Sequence, residues 1–177
     1  MVDLFNYTRR TSSVAHVGEL DLGGNNPIRI QSMTTTNTND TEACVRQAEE
    51  IIKAGGELVR FTTQGSREAE NMKNINAGIR ADGFTTPLVA DIHFNPNVAD
   101  VAALYCEKVR INPGNYVDPA RKFIKQEYTD EEYAHELQKI EERFVPFLNI
   151  CKENHTAIRI GVNHGSLSDR IRNRYGD

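Results

Sequence analysis

KVRINPGN, residues 108–115, sets Arg110 and Asn112 two apart in a run whose alternate residues, Val109 and Ile111, are apolar and β-branched. Side chains alternate faces along a strand, so this stretch has one apolar face and one bearing a guanidinium and an amide. The pattern recurs. ELVRFTT (57–63) carries Arg60 and Thr62 against Val59 and Phe61, and AIRIGVN (157–163) carries Arg159, Gly161 and Asn163 against Ile158, Ile160 and Val162. NPIRIQSM (26–33) contributes Arg29 and Gln31 opposite Ile28 and Ile30, and PLVADIHF (87–94) contributes Asp91 and His93 opposite Leu88, Ala90 and Ile92. Five strands are predicted, each with a polar side chain on the same parity, and four of the five place an arginine there.

Helical periodicity fills the gaps between them. Asn39 and Glu42 have capping-box spacing ahead of a face formed by Cys44, Val45, Ala48, Ile51 and Ile52, with Gly55 as the stop. Ser66 is positioned to cap a helix carrying Ala69, Met72, Ile75 and Ile79 inward. Asn95 with Pro96 predicts a third start, with Val98, Val101, Ala102 and Tyr105 facing inward, and Asp118-Pro119 repeats that signal. Thr129 and Glu132 open a longer helix with the stripe Tyr133, Leu137, Ile140, Phe144, Phe147 and Cys151, which Pro146 is expected to kink or restart. Ser166 is expected to begin a last short helix. VAHVGELDLGG (14–24) reads as an N-terminal hairpin ending at Gly23-Gly24.

Strands alternating with helices predict a parallel sheet, and connections this short suit a (β/α) barrel or an open doubly wound sheet. No G-x-G-x-x-G follows the first strand, which argues against dinucleotide binding. Parallel sheets are normally covered on both faces, so a polar second face is expected to line a barrel lumen; a solvated face is the alternative. The expected fold is α/β, a partial TIM (β/α)8 barrel of about five parallel strands with intervening helices. The first and fifth strands are expected at opposite open edges.

At 177 residues the chain suits one domain, and its net charge of -4 gives no general reason to bind nucleic acid or an anionic membrane. No apolar run approaches the roughly 20 residues of a membrane helix, and the start lacks a signal-peptide core, so a cytoplasmic location is expected. Cys44, Cys106 and Cys151 are far apart and read as small buried residues, not as metal ligands or disulfide partners. A cationic site must therefore be local. Guanidiniums crowded in a lumen call for an anion between them, and their planar forks match phosphate oxygens. Arg60, Arg110 and Arg159, with Asn112, Asn163 and His93, are the candidate contacts to a diphosphate-like ligand. Asp91, the one acid among them, is expected to orient an arginine or the histidine, and Arg29 to form a salt bridge toward the barrel floor. His16, His135, His155 and His164 form no constellation.

NPIRIQSMT, GGELVRFTTQG, PLVADIHFNP, KVRINPGN and AIRIGVNHGSL together resemble the 4-hydroxy-3-methylbut-2-en-1-yl diphosphate synthase family of the non-mevalonate isoprenoid pathway. The resemblance runs from about Thr8 to the end. It implies a TIM-barrel domain that binds 2-C-methyl-D-erythritol 2,4-cyclodiphosphate, which is reductively converted to the linear allylic diphosphate. Electrons reach the family's [4Fe-4S] cluster from ferredoxin or flavodoxin. Carried over by motif, Arg60, His93, Arg110, Asn112, Arg159 and Asn163 resemble the family's diphosphate-binding residues. The segments Thr63-Gln64-Gly65 and after Asn115 resemble the larger, plant-like branch.

The family's cluster ligands, three cysteines and a glutamate in a C-terminal domain, have no match here. Residues 1–177 are thus expected to be the N-terminal part of the substrate-binding barrel, binding no cluster and inactive alone, and associating as a homodimer. Another phosphate- or pterin-binding barrel enzyme, or an isolated anion-binding module, is the alternative reading.

Overall fold

The computed structural model describes residues 10–93, 95–115 and 128–176. Strands β1 (Val14–Val17) and β2 (Leu20–Gly23) form the expected antiparallel hairpin. The other five, β3 (Gln31–Met33), β4 (Leu58–Thr62), β5 (Leu88–Asp91), β6 (Lys108–Ile111) and β7 (Ala157–Ile160), form one parallel sheet in sequence order. Helices α1 (Thr41–Lys53), α2 (Ser66–Ala81), α3 (Pro96–Ala102) and α4 (Asp130–Glu153) make the crossovers, and α5 (Asp169–Tyr175) follows β7. This is an α/β partial barrel whose edges are β3 and β7, as the sequence predicts.

The apolar parity packs on the helices. Val59, Phe61, Leu88, Ala90, Ile92, Val109 and Ile111 join Cys44, Ala48, Met72, Ile75, Ile79, Val98 and Phe147 in one buried core. The exceptions lie at the edges. Ile28 and Ile30 are 79% and 62% exposed, and Ile160 is 54% exposed, where packing against helices was expected. An inner strand lies beneath helices from both its neighbours, whereas an edge strand has helices on one side only. β3 is also shorter than the predicted run, starting at Gln31.

Helix starts follow local hydrogen bonding. Asn37 Oδ1 accepts from Asn39 N–H at 3.0 Å, a side-chain turn that leaves Asp40, and not Asn39, to cap α1 by accepting from Ala43 N–H at 3.0 Å. At α2 the cap position is Gly65, not Ser66, and the Glu68 carboxylate accepts from the N–H groups of Gln64 and Gly65. Asn95-Pro96 and the Thr129/Glu132 box behave as predicted. Helix α4 runs unbroken through Pro146, so no restart occurs. Ser166 ends a 3-10 turn (His164–Ser166), and Ser168 stands at the cap position of α5. The predicted Asp118-Pro119 start lies outside the described residues.

The hairpin closes the N-terminal end of the lumen. Val17, Leu20 and Leu22 pack with Leu58, Val89 and Ala157, the lowest lumen-facing residues of β4, β5 and β7. Two acids that precede strands tie this floor together. Glu57 accepts from Ile30 N–H at 2.8 Å and pairs with Arg29 at 2.9 Å, confirming Arg29 as a floor residue. Glu107 accepts from Leu88 N–H at 2.8 Å and pairs with Arg80 at 2.8 Å. The polar half of the lumen is thereby left at the C-terminal strand ends, where barrel enzymes hold their sites.

Candidate functional site

Strand register stacks the lumen side chains in rows. Arg60, Val89, Lys108 and Ala157 form one row, and Thr62, Asp91, Arg110 and Arg159 the next. His93, Asn112 and Gly161, two residues further along their strands, lie above. The Thr/Asn-rich loop before α1 belts the end of β4: Thr34 N–H donates to Arg60 O at 2.9 Å, and Thr38 Oγ1 donates to Thr62 O at 2.6 Å. These contacts hold the strand that presents Arg60.

Asp91 is the hub. Its carboxylate, 1% exposed, accepts from Arg60 Nη2, lies 3.0 Å from His93 Nε2 and accepts from Arg110 Nη1 at 3.3 Å. Arg110 reaches further, donating through Nη2 to Gly161 O at 2.6 Å and lying 3.4 Å from His93 Nδ1 through Nη1. Two guanidiniums and an imidazole therefore converge on one carboxylate. Burial pushes the Asp91 pKa up, but hydrogen bonds from Arg60 and His93 outweigh it and hold the group below the usual Asp value. With Arg110 Nη1 facing His93 Nδ1, the neutral tautomer that suits the geometry carries its proton on Nε2 and donates it to Asp91.

The lumen is nonetheless positive. Burial, then the charges of Arg159 and Arg60, pull the Lys108 pKa below the usual lysine value. Arg159 shares the Asp91 row but is exposed, at the open edge. The expected residues thus separate into groups. Arg60, Asp91, His93 and Arg110 form one network, and Arg159 stands beside it. Asn112 is buried and its amide joins two turns, donating to Ser166 O at 2.9 Å and accepting from Gly114 N–H at 3.1 Å. Asn163 is exposed on the turn that Asn112 supports. The anion between the arginines, expected from a ligand, is supplied in part by Asp91 itself.

The cysteines do not offer a cluster site. Cys44, Cys106 and Cys151 are buried thiols on α1, ahead of β6 and on α4, all with pKa raised by burial, Cys151 to about 12. Among the described residues, no three His, Cys, Asp or Glu side chains gather as metal ligands, and no helix is long and apolar enough to cross a membrane.

A family model described as the GcpE TIM-barrel domain matches residues 11–177. A protein of Phocaeicola vulgatus named 4-hydroxy-3-methylbut-2-en-1-yl diphosphate synthase (flavodoxin) is 75% identical over 99% of this chain and 29% of its own length. A protein of the same name from Bacteroides thetaiotaomicron is 73% identical over 99% of the chain and 29% of the relative. One from Akkermansia muciniphila is 53% identical over 98% and 29%. The chain spans somewhat under a third of the length of these relatives.

Proposed function

The chain belongs to the GcpE TIM-barrel family, and from that premise we propose that its lumen mouth binds the diphosphate part of 2-C-methyl-D-erythritol 2,4-cyclodiphosphate. In this reading it contributes the substrate-binding part of a 4-hydroxy-3-methylbut-2-en-1-yl diphosphate synthase, a cytoplasmic oxidoreductase served by flavodoxin or ferredoxin. Residues 1–177 are the N-terminal part of its barrel domain. The observation that carries the reading is the convergence of Arg60 and Arg110 on the single buried carboxylate of Asp91. Two guanidiniums against one carboxylate leave a positive charge, and Arg159 adds a second at the same level.

Binding is the role of these residues. Asp91 fixes the planes of Arg60 and Arg110 before the ligand arrives, so less side-chain entropy is lost on binding. Their remaining N–H groups, with Arg159, supply charge-assisted hydrogen bonds to phosphate oxygens. Asn112 shapes the adjoining turns, whose Gly114 and Gly165 let backbone approach an anion. A [4Fe-4S] cluster would supply single electrons for reductive opening of the cyclic diphosphate. The described cysteines do not fit that group, and no electron-transfer step is assigned to them.

Calorimetry with the cyclodiphosphate, inorganic pyrophosphate and a pterin tests the proposal. Both phosphates are expected to bind and the pterin not to. Binding of the pterin alone, or of none of the three at millimolar concentration, contradicts it.

A further inference from the structure

We infer that Gly161 is a positioning residue for Arg110, left without a side chain so that the guanidinium is held across the barrel mouth. The inference rests on the anion-binding reading above. Gly161 follows β7 on the lumen parity of Arg159, is buried, and extends the ladder by donating its N–H to Ile111 O at 2.8 Å. Its φ lies outside the left-handed region, in contrast to Gly55 at 97° and Gly83 at 84°, which have open space around them. Those two glycines answer a conformational need. The backbone at 161 admits any L-residue, so the requirement there is space.

The space is taken by Arg110. A Cβ built on Gly161 would lie 1.8 Å from Arg110 Nε, 2.6 Å from Cζ and 2.7 Å from Cδ. These atoms set the plane of the guanidinium and are not a loose side-chain end. Both terminal nitrogens beyond them are anchored, Nη1 at Asp91 and His93 and Nη2 at the carbonyl of Gly161 itself. A methyl at 161 therefore pushes Arg110 off its carbonyl anchor and away from Asp91 in one movement. Arg110 then loses the fixed fork that meets a phosphate, although no atom of Gly161 except its backbone touches the network.

The test compares Gly161→Ala, Arg110→Ala and the double variant in thermal unfolding and in calorimetric titration with inorganic pyrophosphate. Gly161→Ala is expected to lower Tm and to weaken pyrophosphate binding about ten- to a hundredfold, the effect of losing a charge-assisted fork. The double variant is expected to regain Tm relative to Gly161→Ala, because the methyl enters the space the guanidinium leaves, and to bind no worse than Arg110→Ala. That rescue also decides the matter if Gly161→Ala alone does not fold. Absence of rescue, or a Gly161→Ala variant that melts and binds like the wild type, overturns the inference. Binding lost in Arg110→Ala but intact in Gly161→Ala removes only the positioning role. Binding unmoved by Arg110→Ala overturns the anion-binding reading itself.

Discussion

The two ends of this partial barrel use the same residue types to opposite effect. At the floor each arginine has its own acid, Arg29 with Glu57 and Arg80 with Glu107, and each acid also accepts a backbone N–H from the start of a neighbouring strand. In these two pairs charge is matched one to one, and the hairpin seals the end with Val17, Leu20 and Leu22. At the mouth one carboxylate, Asp91, serves Arg60, Arg110 and His93 together, and Arg159 stands near with no acid of its own in the row. A balanced set holds strands together, and an unbalanced set waits for an anion. Ion-pair stoichiometry, and not arginine count, separates the structural end from the binding end.

The largest effect is expected at the hub. Asp91→Ala leaves two partly buried guanidiniums without their carboxylate, and removing one partner of such a network costs roughly 3–5 kcal/mol. Urea unfolding of the variant measures it, and a loss no larger than that of a surface substitution breaks the contrast between the ends. Next comes Arg110→Ala, expected to weaken pyrophosphate binding by ~1.5–3 kcal/mol in calorimetry, while Arg29→Ala leaves it nearly unchanged. Glu107→Ala is expected to do the reverse, costing about 1–2 kcal/mol of stability in urea unfolding, with binding intact.

Acid pH gives a smaller effect of defined sign. The folded pKa of Asp91 lies below its unfolded value, so its contribution is fully present above about pH 4 and is lost as pH falls through the folded value. Asp91→Asn is expected to flatten that part of the stability–pH curve, and an unchanged curve contradicts the hub assignment. The smallest signal is association. Among the described residues, β3 and β7 have no strand on their outer sides, beside exposed Ile30 and Ile160, and we place a two-fold contact there. Sedimentation at micromolar concentration is expected to show dimer, and an ideal monomer sinks that contact.

Much of this was legible in the sequence because it depends on short-range pattern. Period-two alternation located all five parallel strands, and parity assigned the two faces correctly for the inner strands β4, β5 and β6. The same rule assigned Ile28, Ile30 and Ile160 to a packed face, because alternation gives a side chain's direction and not what covers it. The orienting role of Asp91 was anticipated, but its sharing between Arg60 and Arg110 depends on register across three strands. Asn112 read as a ligand contact, while its amide bonds Ser166 O, 54 residues away. The need for glycine at 161 was hidden for the same reason: its cause is the Arg110 side chain, 51 residues earlier on the adjacent strand.

If the shared carboxylate at the mouth leaves positive charge to bind a diphosphate, affinity must follow the mouth residues and not the paired acids of the floor. A phosphorus NMR titration of inorganic pyrophosphate with the wild type, Arg110→Ala and Glu107→Ala tests it most directly. Saturable binding by the wild type and Glu107→Ala with equal affinity is expected, and about ten- to a hundredfold weaker binding by Arg110→Ala. Equal binding by all three, or weakening by Glu107→Ala alone, would contradict it.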